Sequence, residues 1–349
     1  MLFWEQHHLL TLSVYQKSIS LTMGITAPII DSNKKTGSED MNRKYEGSFA
    51  SEHDGLLISV LGVLPREKPY RGVVQLVHGM AENKERYLPF MEYLADHGYA
   101  AVIHDHRGHG RSVKSRRDLG YMYGGGAEAL LQDIETVNRK LREEFPGLPL
   151  ILFGHSMGSL AVRAFASEHD NYMDMLIVCG SPSKNPARPL GELIARFEKL
   201  LFGARHKSRV LEALSFGSFA ARFAGDKKCR AWICANPETA KAYEESELCG
   251  FTFTDDGYLT LFQLMKKAYD VKRWHCTSPE MPVLFVSGSD DPCLGNVRKF
   301  SKAVWDMRRA GYKDVKGKLY PGMRHEILNE KDRQKVYRDL VGYMRKKGF

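Results

Sequence analysis

From Leu56 onward, short apolar runs alternate with segments whose apolar residues recur at helical spacing. The runs Leu56–Gly62, Val73–Val77, Ala100–His104, Pro149–Phe153, Met175–Cys179, Pro282–Ser287 and Lys316–Tyr320 read as strands. Lys84–Asp96, Ala127–Phe145, Met157–His169, Val297–Arg309 and Asp332–Lys346 read as helices, the second of them stopped by Pro146-Gly147. This alternation predicts a doubly wound, mostly parallel α/β sheet covered on both faces. No internal repeat is present.

One interval breaks the rhythm. The stretch between Cys179 and Pro282 is far longer than a crossover helix needs. Leu190, Leu193, Ile194, Phe197, Leu200 and Leu201 are spaced there for one apolar helical face. Phe216, Phe219, Phe223, Trp232, Phe251, Phe253, Tyr258 and Phe262 follow. We expect residues 185–275 to form a helical cap, with most of these side chains packing internally. Residues 44–184 and 276–349 then form the core, and 1–43 a disordered extension, since Asp31 to Glu39 are polar and ordered patterning begins near Tyr45.

Chemistry concentrates where strands end. The apolar run Leu150–Phe153 enters Gly154-His155-Ser156-Met157-Gly158, and a helical pattern follows. A serine hydroxyl is a weak nucleophile unless a tight bend holds it within reach of a base. Gly154 and Gly158 leave room for such a bend between strand and helix. The base and its orienting carboxylate should lie at the carboxyl ends of later strands. Gly288-Ser289-Asp290-Asp291-Pro292 follows one strand, and Pro321-Gly322-Met323-Arg324-His325-Glu326 follows the last. His325 is therefore the candidate base. Asp290 and Asp291 compete as the acid, with Asp291 preferred. After Val73–Val77 comes His78-Gly79-Met80-Ala81-Glu82. There the N–H of Met80, with that of Met157, would hold an oxyanion. Gly79 permits close approach, His78 reads as a structural hydrogen-bonding residue, and His155 should point away from the nucleophile.

Three segments carry a family resemblance: His78 to Tyr87 (His-Gly-Met-Ala-Glu-Asn-Lys-Glu-Arg-Tyr), His104 to Ser112 (His-Asp-His-Arg-Gly-His-Gly-Arg-Ser) and Gly154 to Gly158. Together they resemble the monoacylglycerol lipase and lysophospholipase branch of the α/β hydrolases, also described as serine aminopeptidase-like. The resemblance covers roughly residues 44–346. It implies an eight-stranded sheet with a helical cap after the sixth strand. It also implies Ser156 as nucleophile, Asp291 as acid, His325 as base, Met80 and Met157 as oxyanion donors, and Glu82 and Arg86 as braces of the oxyanion loop. Glu247 to Thr254 resembles cap segments of bacterial members, so a bacterial member is expected.

Composition adds limits. The 349 residues carry a formal charge of +9, but Lys and Arg are scattered among acids. The short basic stretches Lys114–Arg117 and Met344–Lys347 suit a solvated surface or peripheral contact with anionic lipid, and nucleic acid is not expected. The six cysteines form no Cys-x-x-Cys pair and read as reduced thiols. Cys229, Cys234, Cys249 and His275 fit no structural zinc spacing. Leu9–Val14 is too short to span a bilayer, with no basic residues before it, so the chain reads as cytoplasmic. The expectation is a serine ester hydrolase acting on a lipid-like ester, with no cofactor and no metal. An aminopeptidase is the alternative, weakened because proline-releasing relatives carry His-Gly-Gly-Pro-Gly where this chain has His-Gly-Met-Ala-Glu. Acyl transfer would use the same triad.

Overall fold

The computed structural model describes residues 42–223, 225 and 231–349. Its elements are β1 (Arg43–Ala50), β2 (Leu57–Leu64), β3 (Gly72–Val77), α1 (Leu88–Asp96), β4 (Tyr99–His104), α2 (Gly126–Glu144), β5 (Leu150–His155), α3 (Met157–His169) and β6 (Met175–Cys179). Next come α4 (Arg188–Phe202), α5 (Arg209–Arg222), α6 (Pro237–Glu245) and α7 (Asp255–Tyr269). The chain closes with β7 (Val283–Gly288), α8 (Val297–Arg309), β8 (Val315–Tyr320) and α9 (Arg333–Lys346). The strands form one eight-stranded sheet in the order β1-β2-β4-β3-β5-β6-β7-β8. β2 runs antiparallel to both its neighbours, and all other pairs are parallel.

Period-two alternation along the strands divides the core between two faces. Val73 and Val77 of β3 point to the layer of α2, α3 and α8, where Leu130, Ile134, Leu160, Phe165 and Met307 are buried. Val74 and Leu76 point the other way, to Phe90 and Leu94 of α1 and to Val336 and Leu340 of α9. Each central strand is thus buried on both sides, which is why it reads as an unbroken apolar run.

Two boundaries differ from expectation. β1 was not anticipated, because it is an edge strand: it buries only Tyr45 and Phe49 deeply and shows polar residues between them. Its start at Arg43 places the last residue of the expected extension inside the sheet, while residues 1–41 and Cys229 lie outside the described residues. The Lys84–Asp96 segment opens as a 3-10 turn, Lys84–Tyr87, and the α-helix begins with Pro89 in its first turn, where a missing N–H costs nothing.

The segment between β6 and β7 holds α4 to α7, as an insertion after the sixth strand requires. Part of it packs as expected. Trp232, Ile233, Cys234, Tyr243 and Cys249 form a small core with Phe216, Phe219 and Phe223 against it, and Phe253 and Tyr258 are wholly buried in the main core. The apolar face of α4 does not pack internally. Leu190, Leu193, Phe197, Leu200, Leu201 and Phe202 are all exposed, Leu200 to 81%. Only Ile194 of the expected stripe packs against the core, because α7 covers one edge of α4 and leaves the rest open. No described helix is long and apolar enough to cross a membrane.

Candidate active site

At the end of β5 the chain turns straight into α3, and Ser156 occupies the bend with φ 53° and ψ −118°. A positive φ is strained for a residue with a Cβ, and the surroundings hold it there. The Ser156 N–H donates to the Cys179 carbonyl at 3.0 Å. A Cβ on Gly158 would fall 2.1 Å from the Val77 carbonyl oxygen, and one on Gly154 2.4 Å from the Gly158 oxygen. No other residue fits at either place, so strand and helix can meet at this angle.

The bend lifts the Ser156 hydroxyl to 2.9 Å from His325 Nε2. His325 stands on the loop after β8, and its Nδ1 lies 3.0 Å from Asp291 Oδ2. Asp291 follows β7 and is fully buried, and it also accepts from the Ser287 hydroxyl at 2.9 Å and the Cys293 N–H at 2.8 Å. Asp290 turns aside and takes the Ser289 hydroxyl. Burial alone would raise the Asp291 carboxyl, but His325 and the two donors outweigh it and hold its pKa below the usual value. Burial alone would lower His325, and the Asp291 carboxylate outweighs that and raises it.

Across from His325, the loop after β3 is pinned at nearly every residue. Glu82 Oε1 accepts from the Gly79 N–H at 2.5 Å and the Tyr87 hydroxyl at 2.9 Å, while Oε2 faces Arg86 at 3.1 Å. Burial opposes ionisation of Glu82, yet His155, Arg86 and the Gly79 N–H together bring its pKa down to about 2. His155 sits 3.3 Å from both Glu82 Oε1 and the His325 carbonyl, with its ring 4.8 Å from that of His325. His78 Nε2 accepts the His106 N–H at 2.9 Å, so Nδ1 carries the proton and donates to the Gly79 carbonyl at 2.8 Å. Burial and the neighbouring imidazoles His106 and His109 keep His78 well below the ordinary histidine range. It is a neutral strut. Met80 and Met157 line the same cavity as Ser156, and Met157 opens α3, where backbone N–H groups lack helical partners.

Several contributors were missed in the sequence. Glu326 receives both terminal nitrogens of Arg86, at 2.5 and 2.6 Å. Trp232 packs 5.4 Å from the His325 ring, backed by Phe216 and Phe219. Cys293 Sγ lies 3.9 Å from His325 Nε2. His109 Nε2 accepts the Ala81 N–H. Only Glu326, adjacent to His325, carried a usable signal; the other pairings join distant segments.

Above Ser156 opens a cavity of about 450 Å³. Its walls are largely apolar, with Leu160, Phe216, Phe219, Phe251, Leu261 and Phe262 among them. Phe253 is not a lining residue. Lys184, Arg222 and Lys299 stand at polar positions of the same cavity.

The doubly wound sheet, the strained serine bend and the Ser156-His325-Asp291 hydrogen-bonded series define a serine ester hydrolase of the α/β-hydrolase fold. A family model described as "Serine aminopeptidase, S33" matches residues 68–332, and the chain belongs to that family. A monoacylglycerol lipase of Mycolicibacterium smegmatis is 26% identical over 280 residues, covering 78% of this chain and 88% of that protein. A monoglyceride lipase of Saccharomyces cerevisiae is also 26% identical, over 79% of this chain and 85% of its own. In fold, the chain resembles a thermostable carboxyl esterase from Bacillus coagulans in complex with glycerol. The TM-score is 0.78 at 24% identity, over 86% of this chain and 98% of the esterase.

Proposed function

We propose that this protein hydrolyses lipid-like carboxylic esters, monoacylglycerols or lysophospholipids, through an acyl-enzyme on Ser156. The observation that carries this reading is the 2.9 Å contact between the Ser156 hydroxyl and His325 Nε2 at the floor of an apolar-walled cavity. Ser156 Oγ attacks the acyl carbonyl while His325 takes its proton. The N–H groups of Met80 and Met157 hold the developing oxyanion, and Asp291 steadies the imidazolium. His325 then returns the proton to the departing alcohol. Water, deprotonated by the same nitrogen, attacks the acyl carbonyl and frees the carboxylic acid and Ser156.

An aminopeptidase needs a free carboxylate for the substrate ammonium. Glu82 and Glu326 in the cavity are both committed to Arg86, and Glu212 accepts the Thr252 hydroxyl. The commitment of Glu82 and Glu326 to Arg86 supports ester over peptide substrates; the hydroxyl on Glu212 supplies no compensating charge. A panel of monoacylglycerols, lysophospholipids and aminoacyl amides, assayed with the native enzyme and Ser156→Ala, tests the reading. Turnover of amides but not esters would reverse it, and acyl transfer would appear as ester exchange with added alcohol in place of free acid.

Residues 185–275 act in this reading as the cap. The exposed apolar face of α4, flanked by Arg188, Arg196 and Lys199, would rest on an anionic lipid surface from which substrate enters. The free thiols among the described residues support a cytoplasmic setting.

A further inference from the structure

A second cluster of titratable groups lies in the insertion, outside the lining of the Ser156 cavity. Glu198 on α4, His206 on the α4–α5 connection and Asp255 in the first turn of α7 each direct one donor atom to a common point, all within 4.8 Å of one another. Asp255 is completely buried, and its Oδ1 has no hydrogen-bond partner; Glu198 Oε2 is likewise buried and unpartnered. His206 Nδ1 lies 3.0 Å from Asp255 Oδ2, and the His206 ring remains about one-third exposed. The backbone is drawn together at the same place, where the Asp255 N–H donates to the His206 carbonyl at 2.8 Å.

Two buried carboxylate oxygens facing each other without donors are costly unless a shared proton or a metal cation lies between them. We propose that Glu198, His206 and Asp255 bind a divalent transition-metal ion, with zinc as the natural fit. An imidazole with two carboxylates suits zinc, whereas calcium and magnesium take oxygen ligands. The exposed edge of His206 gives the ion a path in and leaves a fourth position for solvent. The ion would fasten α4 and the α4–α5 connection to α7, the helix whose Tyr258, Leu261 and Phe262 line the cavity. It is structural, takes no part in the ester chemistry, and does not depend on that reading.

The test uses the whole chain stripped of metal, titrated with zinc by calorimetry and with cobalt as a coloured substitute. One saturable site is expected, with a cobalt visible spectrum lacking thiolate charge transfer and a melting temperature raised by zinc. Glu198→Gln and His206→Ala, each checked by circular dichroism, should weaken binding by more than about tenfold and remove the thermal shift. A thiolate band would place the ion on Asp291, Cys293 and His325 instead, which also converge. That result, unchanged affinity in both variants, or no saturable binding would overturn the proposal; the last would leave Glu198 and Asp255 sharing a proton.

Discussion

Arg86 grips both oxygens of Glu326, 240 residues away in the sequence, and so joins the loop that presents Met80 to the loop that presents His325. With Glu82 on its other side, the guanidinium lies between two buried carboxylates. Burial opposes its charge, and Glu326 and Glu82 more than restore it.

That clamp predicts a positioning role for Arg86. Arg86→Ala removes the cation that Glu326 and Glu82 share, at a cost of about 3–5 kcal/mol in stability. Glu326→Gln, which keeps its shape, should fold and lower kcat more than it raises KM. A variant that loses stability while retaining native kcat would assign the pair to folding alone.

Ser156→Ala and His325→Ala should each remove nearly all ester hydrolysis, and the double variant should be little worse, since the groups act as a unit. Asp291→Asn should cost orders of magnitude and Asp290→Asn little, because only Asp291 faces the imidazole. Steady-state kinetics with fluorophosphonate labelling reads all five variants.

The proposed mechanism requires neutral His325 to accept the proton, so kcat/KM should rise with pH through the His325 pKa and then level. Asp291 raises that pKa above 6.5, which places the acid limb above the ordinary histidine value. Asp291→Asn removes the raising charge, so the limb should move to lower pH while the plateau falls. A limb that stays in place would show that another group titrates.

Phe251 lines the cavity, and Phe253 is buried outside its lining. Phe251→Ala should reduce kcat/KM on decanoate more than on acetate, each lost methylene contact being worth up to about 0.8 kcal/mol. Phe253→Ala should instead destabilise the fold by about 3–5 kcal/mol with little change in chain-length preference. Thermal melts and an ester series separate them.

Replacing Phe197 and Leu200 with Ser should leave hydrolysis of soluble short esters intact. Sedimentation with vesicles rich in anionic lipid should fall sharply, and salt should weaken what binding remains. Equal sedimentation of both proteins would point the α4 face toward another copy of the chain.

The core was legible because each central strand must be apolar on both faces, and the bend at Ser156 because only glycine fits at 154 and 158. Asp291 and His325 could be read from their places just after strands. Long-range pairings could not. Nothing near Arg86 announces Glu326, and nothing near Trp232 announces His325. The α4 stripe shows the opposite limit: helical spacing revealed an apolar face but not whether anything covers it.

The seam between insertion and base loop bears on how such enzymes can be recombined. The Glu326 N–H donates to the Ile233 carbonyl at 2.8 Å, and Arg324 to the Ala231 carbonyl at 2.6 Å. Residues 231–234 therefore belong mechanically with His325, although they are numbered within the insertion. A chimera that exchanged the whole insertion for a relative's would import a foreign backstop for the imidazole along with a foreign cavity wall. Exchange limited to α4 would leave Trp232, its Phe216 and Phe219 backing and the surroundings of the imidazole native.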